Sequence, residues 1–166
     1  MKGLYKFKTG PSGLKHKAQL FGSGAILREA LRAQEILARD YGVSADVWSA
    51  TNYKHLRQEA LNARRWNMLH PTQTPQKSYV ENVLQNEKGV FVAVSDNMKI
   101  VADQIAPWVP GGLFALGTDG FGRSDTRPNL RRFFEVDAEC TVIATLYALA
   151  QKARWKRSSS PRPFRT

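Results

Sequence analysis

Apolar positions along the chain switch repeatedly between two spacings, one suited to strands and one to helices. Ala18-Gln19-Leu20-Phe21 is a short apolar run that stops at Gly22-Ser23-Gly24, a strand leading into a tight turn. From Ala25 to Tyr41 apolar residues recur at Ile26, Ala30, Ala33, Leu37 and Tyr41, the period of an amphipathic helix. Ser23 is placed to cap that helix, Gly42 to end it in a left-handed turn, and Glu35 with Arg39 to form an i,i+4 pair. Ala45–Ala50 is a second strand, and Tyr53–Asn67 a more ragged helix that His70-Pro71 and Thr74-Pro75 terminate. Ser78–Asn86 has the helical period with Val80, Val83 and Leu84 inward. Val90–Val94 is apolar at every position, as a strand buried on both faces must be. Asn97–Val109 reads as helix and Leu113–Gly117 as a strand. A polar loop, Thr118–Arg127, precedes a short helix from Pro128 to Phe134 and a last helix from Cys140 to Lys152. Tyr5–Lys8 is a short strand or an arm, and Gly10-Pro11-Ser12-Gly13 a linker.

Strands alternating with helices predict an α/β fold: a three-layer αβα domain on a mostly parallel sheet of four or five strands. Length supports one domain, since 166 residues bury one real core. The expected divisions are an entering segment and linker over 1–17, the α/β domain over 18–153, and a disordered basic tail over 154–166.

Charge changes the picture only through its placement. Residues 1–17 hold five lysines and no acid, and residues 152–166 hold six basic residues and no acid. Together they account for the whole net charge of +11. The stretch between them has 14 basic and 14 acidic residues. A nucleic-acid function for the domain is therefore disfavoured, because the positive charge lies at its ends. The one cysteine excludes an internal disulfide framework and an all-cysteine zinc site. The apolar run Cys140–Ala150 is 11 residues long, against about 20 for a membrane span. With no secretory signal in the first residues, the expected setting is the cytoplasm.

Candidate chemistry is sparse. Gly22-Ser23-Gly24 begins like a dinucleotide fingerprint, but Leu27 occupies the third glycine position and Asp46 lies inside its strand instead of at its end. His16, His55 and His70 show no metal-ligand spacing, and Cys140 has no histidine near it in sequence to act as a base. No catalytic, cofactor-binding or metal-ligating residue is assigned. The unusual segment is Gly117 to Arg127, which follows a strand and so belongs at the carboxyl edge of the sheet, where open α/β folds place their sites. Asp119, Gly120, Phe121, Gly122, Arg123, Ser124, Asp125 and Arg127 are its candidate interface or anion-binding residues. The alternative is a plain loop in which Asp125 or Thr126 caps the helix at Pro128.

Four stretches carry a resemblance to a known family: Phe21–Arg28, Arg65-Trp66-Asn67-Met68-Leu69-His70-Pro71, Gly117–Arg127, and Arg132-Phe133-Phe134-Glu135-Val136-Asp137-Ala138. In order and spacing, from about Gly3 to Ala153, they resemble the C-terminal domain of the homodimeric, bacterial-type pyruvate dehydrogenase decarboxylase component, a relative of transketolases. The resemblance implies a full-length protein of three α/β domains that decarboxylates pyruvate on thiamine diphosphate and Mg²⁺. That protein then acetylates the lipoyl groups of dihydrolipoyl acetyltransferase. It implies that the cofactor sits in the two preceding domains and that this domain supports dimer assembly. The expected partners are those thiamine-binding domains, a second copy, and the acetyltransferase in the full complex.

The chain departs from the family pattern at Ser95 and Asn97, where Thr and Tyr are usual, and beyond about Ala153, where the composition turns basic. The latter change points to a shifted reading frame or a fragmentary gene. The expectation is therefore a C-terminal fragment without activity alone. The alternative is a stand-alone anion- or nucleic-acid-binding α/β module.

Overall fold

The computed structural model describes residues 2–158, with side chains through Ala153. Five strands form one sheet in the order β1-β3-β2-β4-β5: β1 is Leu4–Lys8, β2 His16–Gly22, β3 Val43–Ala50, β4 Val90–Val94 and β5 Phe114–Leu116. β2 pairs in parallel with β3 and β4, β4 in parallel with β5, and β1 lies antiparallel on β3 at the edge. The alternation in β2 divides the core. Ala18 and Leu20 pack with α1 (Leu27–Tyr41) and α6 (Ala138–Ser158) on one face. Phe21 packs on the other with α2 (Tyr53–Leu69), α3 (Tyr79–Leu84) and α4 (Lys99–Asp103). This is the expected three-layer α/β arrangement.

Local sequence explains most boundaries. Gly42 ends α1 at φ 61°, the left-handed conformation expected of it. Ser78 and Glu81 form a reciprocal capping box at the start of α3. Gly89 combines φ 105° with a backbone so close that a Cβ there would lie 2.0 Å from the Lys17 carbonyl oxygen. Only glycine fits that approach.

Four expectations shift. Ser23 does not cap α1: its hydroxyl donates to the Ala50 carbonyl at 3.0 Å, and a 3₁₀ turn, Gly24–Ile26, leads into the helix instead. Arg39 pairs with its neighbour Asp40 at 2.7 Å, leaving Glu35 to Lys8 at 3.8 Å. The long helix over Asn97–Val109 is a five-residue α4 followed by a 3₁₀ turn at Ala106–Trp108, because Pro107 cannot continue the ladder. The last helix begins at Ala138 and runs to Ser158, past the expected end at Lys152. The remainder of the expected basic tail, residues 159–166, lies outside the described residues.

Two buried carboxylates tie distant segments together. Asp46 in β3 accepts from the Lys6 ammonium at 2.9 Å and from the Gly10 N–H at 2.8 Å, which joins the entering segment to the sheet. Burial lowers the Lys6 pKa, but hydrogen bonds to Glu87 and Asp46 outweigh it and the net shift is upward. Glu29 in α1 accepts from Arg131 at 2.8 Å, from Arg32 at 3.2 Å and from the Ala138 N–H at 3.1 Å. It thereby fixes the start of α6 and the segment before it against α1. Replacing Glu29 by Ala strands Arg131 and an orphan backbone donor. The expected loss is about 3 kcal/mol of unfolding free energy, read from urea denaturation. A loss below about 1 kcal/mol, the range of an exposed pair, would remove Glu29 from this role.

Candidate functional site

The loop after β5 starts as a fixed structure. The Thr118 N–H and hydroxyl donate to the carbonyls of Asn97 and Asp96, at 2.9 and 2.8 Å. The Asp119 carboxylate accepts from the Lys99 N–H at 3.0 Å, completing the first turn of α4 from a different segment, and lies 3.7 Å from the Lys99 ammonium. Gly117 permits this approach, since a Cβ there would lie 2.5 Å from the Asn97 carbonyl oxygen. Gly120 turns the chain at φ 91°. Beyond it Phe121, Gly122, Arg123, Ser124, Asp125, Thr126 and Arg127 are all exposed.

The side-chain cap anticipated from Asp125 or Thr126 does not form on the first N–H groups of the next helix, and the end of the loop is held locally by Asp125 instead. Its carboxylate accepts from the Thr126 N–H at 2.6 Å and from the Asn129 amide at 2.8 Å, and these bonds hold its pKa below the usual carboxylate range. Thr126 precedes α5 (Arg127–Phe133) without a side-chain cap of its own. Arg123 lies over the Phe133 ring, 4.1 Å from its centroid. Both carboxylates of the loop thus serve backbone and neighbouring side chains. Phe121 projects from the tip with 96% of its surface exposed.

The other singled-out residues have structural employment. Gly22 lies where a Cβ would come 2.8 Å from Leu27 Cα, so its reason is close packing of strand on helix. The Ser23 N–H donates to the Val94 carbonyl at 3.3 Å, which ties the turn to the end of β4. His70 stacks on Trp66, centroids 4.4 Å apart, with Nδ1 2.8 Å from the Trp66 carbonyl oxygen. Asn67 exchanges two hydrogen bonds with the Gln76 backbone. The Arg65–Pro71 stretch therefore holds the loop that follows α2.

Sequence reasoning passed over Glu29. Its signal was an acid one position before Ala30 on the apolar side of a helix.

Mg²⁺, implied together with thiamine diphosphate for the full-length family, needs converging carboxylates or other hard donors. Among the described residues no three His, Cys, Asp or Glu side chains group so as to hold a metal ion. The described residues do not fit that ion. Nor do the described residues include a helix long and apolar enough to cross a membrane.

Cys140 is partly covered near the start of α6. Burial and the adjacent Asp137 carboxylate push its thiol up to about 11. At pH 8 its alkylation by iodoacetamide, followed by mass spectrometry, should be slower than that of free cysteine. The rate should rise towards pH 11. Rapid labelling at neutral pH would contradict the protonated thiol.

A family profile described as "Transketolase-like TK C-terminal domain" matches residues 3–137. The pyruvate dehydrogenase E1 component of Pseudomonas aeruginosa is 48% identical over 153 residues, covering 92% of this chain and 17% of the relative. That of Escherichia coli K12 is 49% identical over 152 residues, covering 91% and 17%. The chain thus spans about a sixth of the length of these relatives. Among solved structures, a split-gene transketolase described as an inactive beta4 tetramer superposes with a TM-score of 0.60 at 18% identity, covering 90% of this chain and 43% of the other. Transketolase from Leishmania mexicana gives 0.59 at 17% identity, covering 90% and 18%. At such identities these two carry the fold alone. With the profile matched over most of its length, the chain belongs to the family of transketolase-like C-terminal domains.

Proposed function

We propose that this chain is a C-terminal piece of the acetyl-transferring pyruvate dehydrogenase decarboxylase component, and that it contributes assembly instead of chemistry. The observation that carries the reading is near-half identity along some nine-tenths of the chain to E1 components of which it spans only 17%. In that reading the full component decarboxylates pyruvate on thiamine diphosphate and Mg²⁺ held by its other domains. It then passes the acetyl group to lipoyl groups of dihydrolipoyl acetyltransferase in the cytoplasm. The partners of this domain are those thiamine-binding domains and a second copy of the component. No step of the chemistry runs through the residues present here.

Exposed apolar side chains support a docking role. Phe121 stands free at the loop tip and Phe133 is half exposed in α5. Ile143 and Tyr147 lie on the outer side of α6, where Tyr147 meets Phe114 of the edge strand β5 edge-to-face at 5.8 Å. A covering partner would remove these surfaces from water.

Two measurements test the two halves of the proposal. The purified chain, given pyruvate, thiamine diphosphate and Mg²⁺, should release no carbon dioxide above blank, and turnover would overturn its inactivity. Co-expressed with the remaining domains of the Pseudomonas aeruginosa relative, the tagged chain should retain them on affinity purification. Phe121→Asp should weaken that retention without changing the melting temperature, since Phe121 packs on nothing. Failure of the unmutated chain to retain those domains would overturn the assembly role.

A further inference from the structure

The two acid-free ends of the sequence do not stay apart. The fold brings Lys15 and Lys17, at the start of β2, to the same cleft as Lys152, late in α6. Lys88, just before β4, joins them. The cleft lies at the amino-terminal edge of the sheet, opposite the Gly117–Arg127 loop, and has a volume of about 620 Å³. Its apolar lining includes Phe91 and Leu149.

Charge in this cleft is uncompensated. The one acid on its wall, Glu87, is already taken by the Lys6 ammonium at 2.8 Å. Lys17 and Lys152 donate to neutral acceptors, the Ser44 hydroxyl at 2.7 Å and the Gly89 carbonyl at 2.6 Å. Among the described residues none of these four lysines makes an ion pair. Lys6 and Lys8, by contrast, are paired with acids. Four ammonium groups gathered at one mouth repel one another, and a multivalent anion between them relieves that repulsion.

We infer that this cleft binds a small organic polyphosphate, with the phosphates among Lys15, Lys17, Lys88 and Lys152 and the organic body against Leu149. A compact ligand is favoured over a nucleic-acid strand because the cations surround one concave mouth instead of forming a track. The volume is that of a small-molecule site. Compact, point-like ammonium groups suit phosphate oxygens approaching from several directions. This inference goes beyond the assembly role and does not depend on it.

Isothermal titration of the full 166-residue chain at low salt tests it, with sodium tripolyphosphate and ATP as probes. Both should bind one per chain, ATP the more tightly because only it can use the Leu149 side chain. The Lys88→Gln/Lys152→Gln pair should weaken both by about tenfold or more, while Arg64→Gln on α2 should leave them unchanged. Lys88→Gln alone should weaken binding by about threefold or more at an unaltered melting temperature, which separates a ligand effect from loss of the Lys152–Gly89 contact. Unchanged affinity in either lysine variant would overturn the site. So would tighter binding of a single-stranded oligonucleotide or an oligoglutamate peptide than of ATP.

Discussion

Everything in this fold follows from a sheet whose central strands must be shielded from water on both sides. β2 and β4 sit between parallel neighbours and carry apolar side chains up and down, so neither face can be left open. Helices cross over one face and then the other, and the three layers result. The carboxyl ends of the strands then fall along one edge and the amino ends along the opposite edge. Loops with freedom to project, such as Gly120–Arg127, lie at the first edge. The lysines at the strand starts lie at the second.

Within that frame, buried charge does work that apolar packing cannot. Glu29 and Asp46 each receive donors from segments far along the chain, including backbone N–H groups that no helix or ladder serves. Burying a carboxylate is costly unless every lone pair is answered, so each of these sites specifies one arrangement of its partners. Asp119 is a more exposed version of the same device, since it completes α4 from the other side of β5. The loop that looked richest in chemistry spends its carboxylates on such tasks. What it leaves over is an aromatic tip, which suits contact with another surface more than a reaction.

The architecture was legible because both signals behind it are local. Strand and helix periods, and glycines at obligatory left-handed turns, read directly from residue order. They located the strands at 16–22, 43–50, 90–94 and 114–116 and the helices at 27–41, 53–69 and 79–84 to within a few residues, and left Tyr5–Lys8 open between a strand and an arm. The misreadings share one cause. Ser23, Arg39 and the segment around Pro107 each chose among nearby partners, and a three-dimensional neighbour or a missing N–H decided the choice. In the loop, the cap expected from Asp125 or Thr126 does not form, and the use of Asp119 by α4 was not visible in advance. Its donor, the Lys99 N–H, stands 20 positions earlier, on a segment that only the pairing of β4 with β5 brings alongside.

Family membership belongs to the sequence as well: long runs such as Gly117–Arg127 and Arg65–Pro71 keep their order and spacing, and neither depends on knowing where the chain goes. The net charge of +11 shows the opposite case. In the sequence it is two unconnected basic ends around a balanced middle. In the fold, part of it is cancelled by Asp46, Glu87 and Glu35, and part is concentrated where Lys15, Lys17, Lys88 and Lys152 meet. Electrostatic interaction depends on distance through space, and residues 135 positions apart acquire that distance only when β2, β4 and α6 pack together.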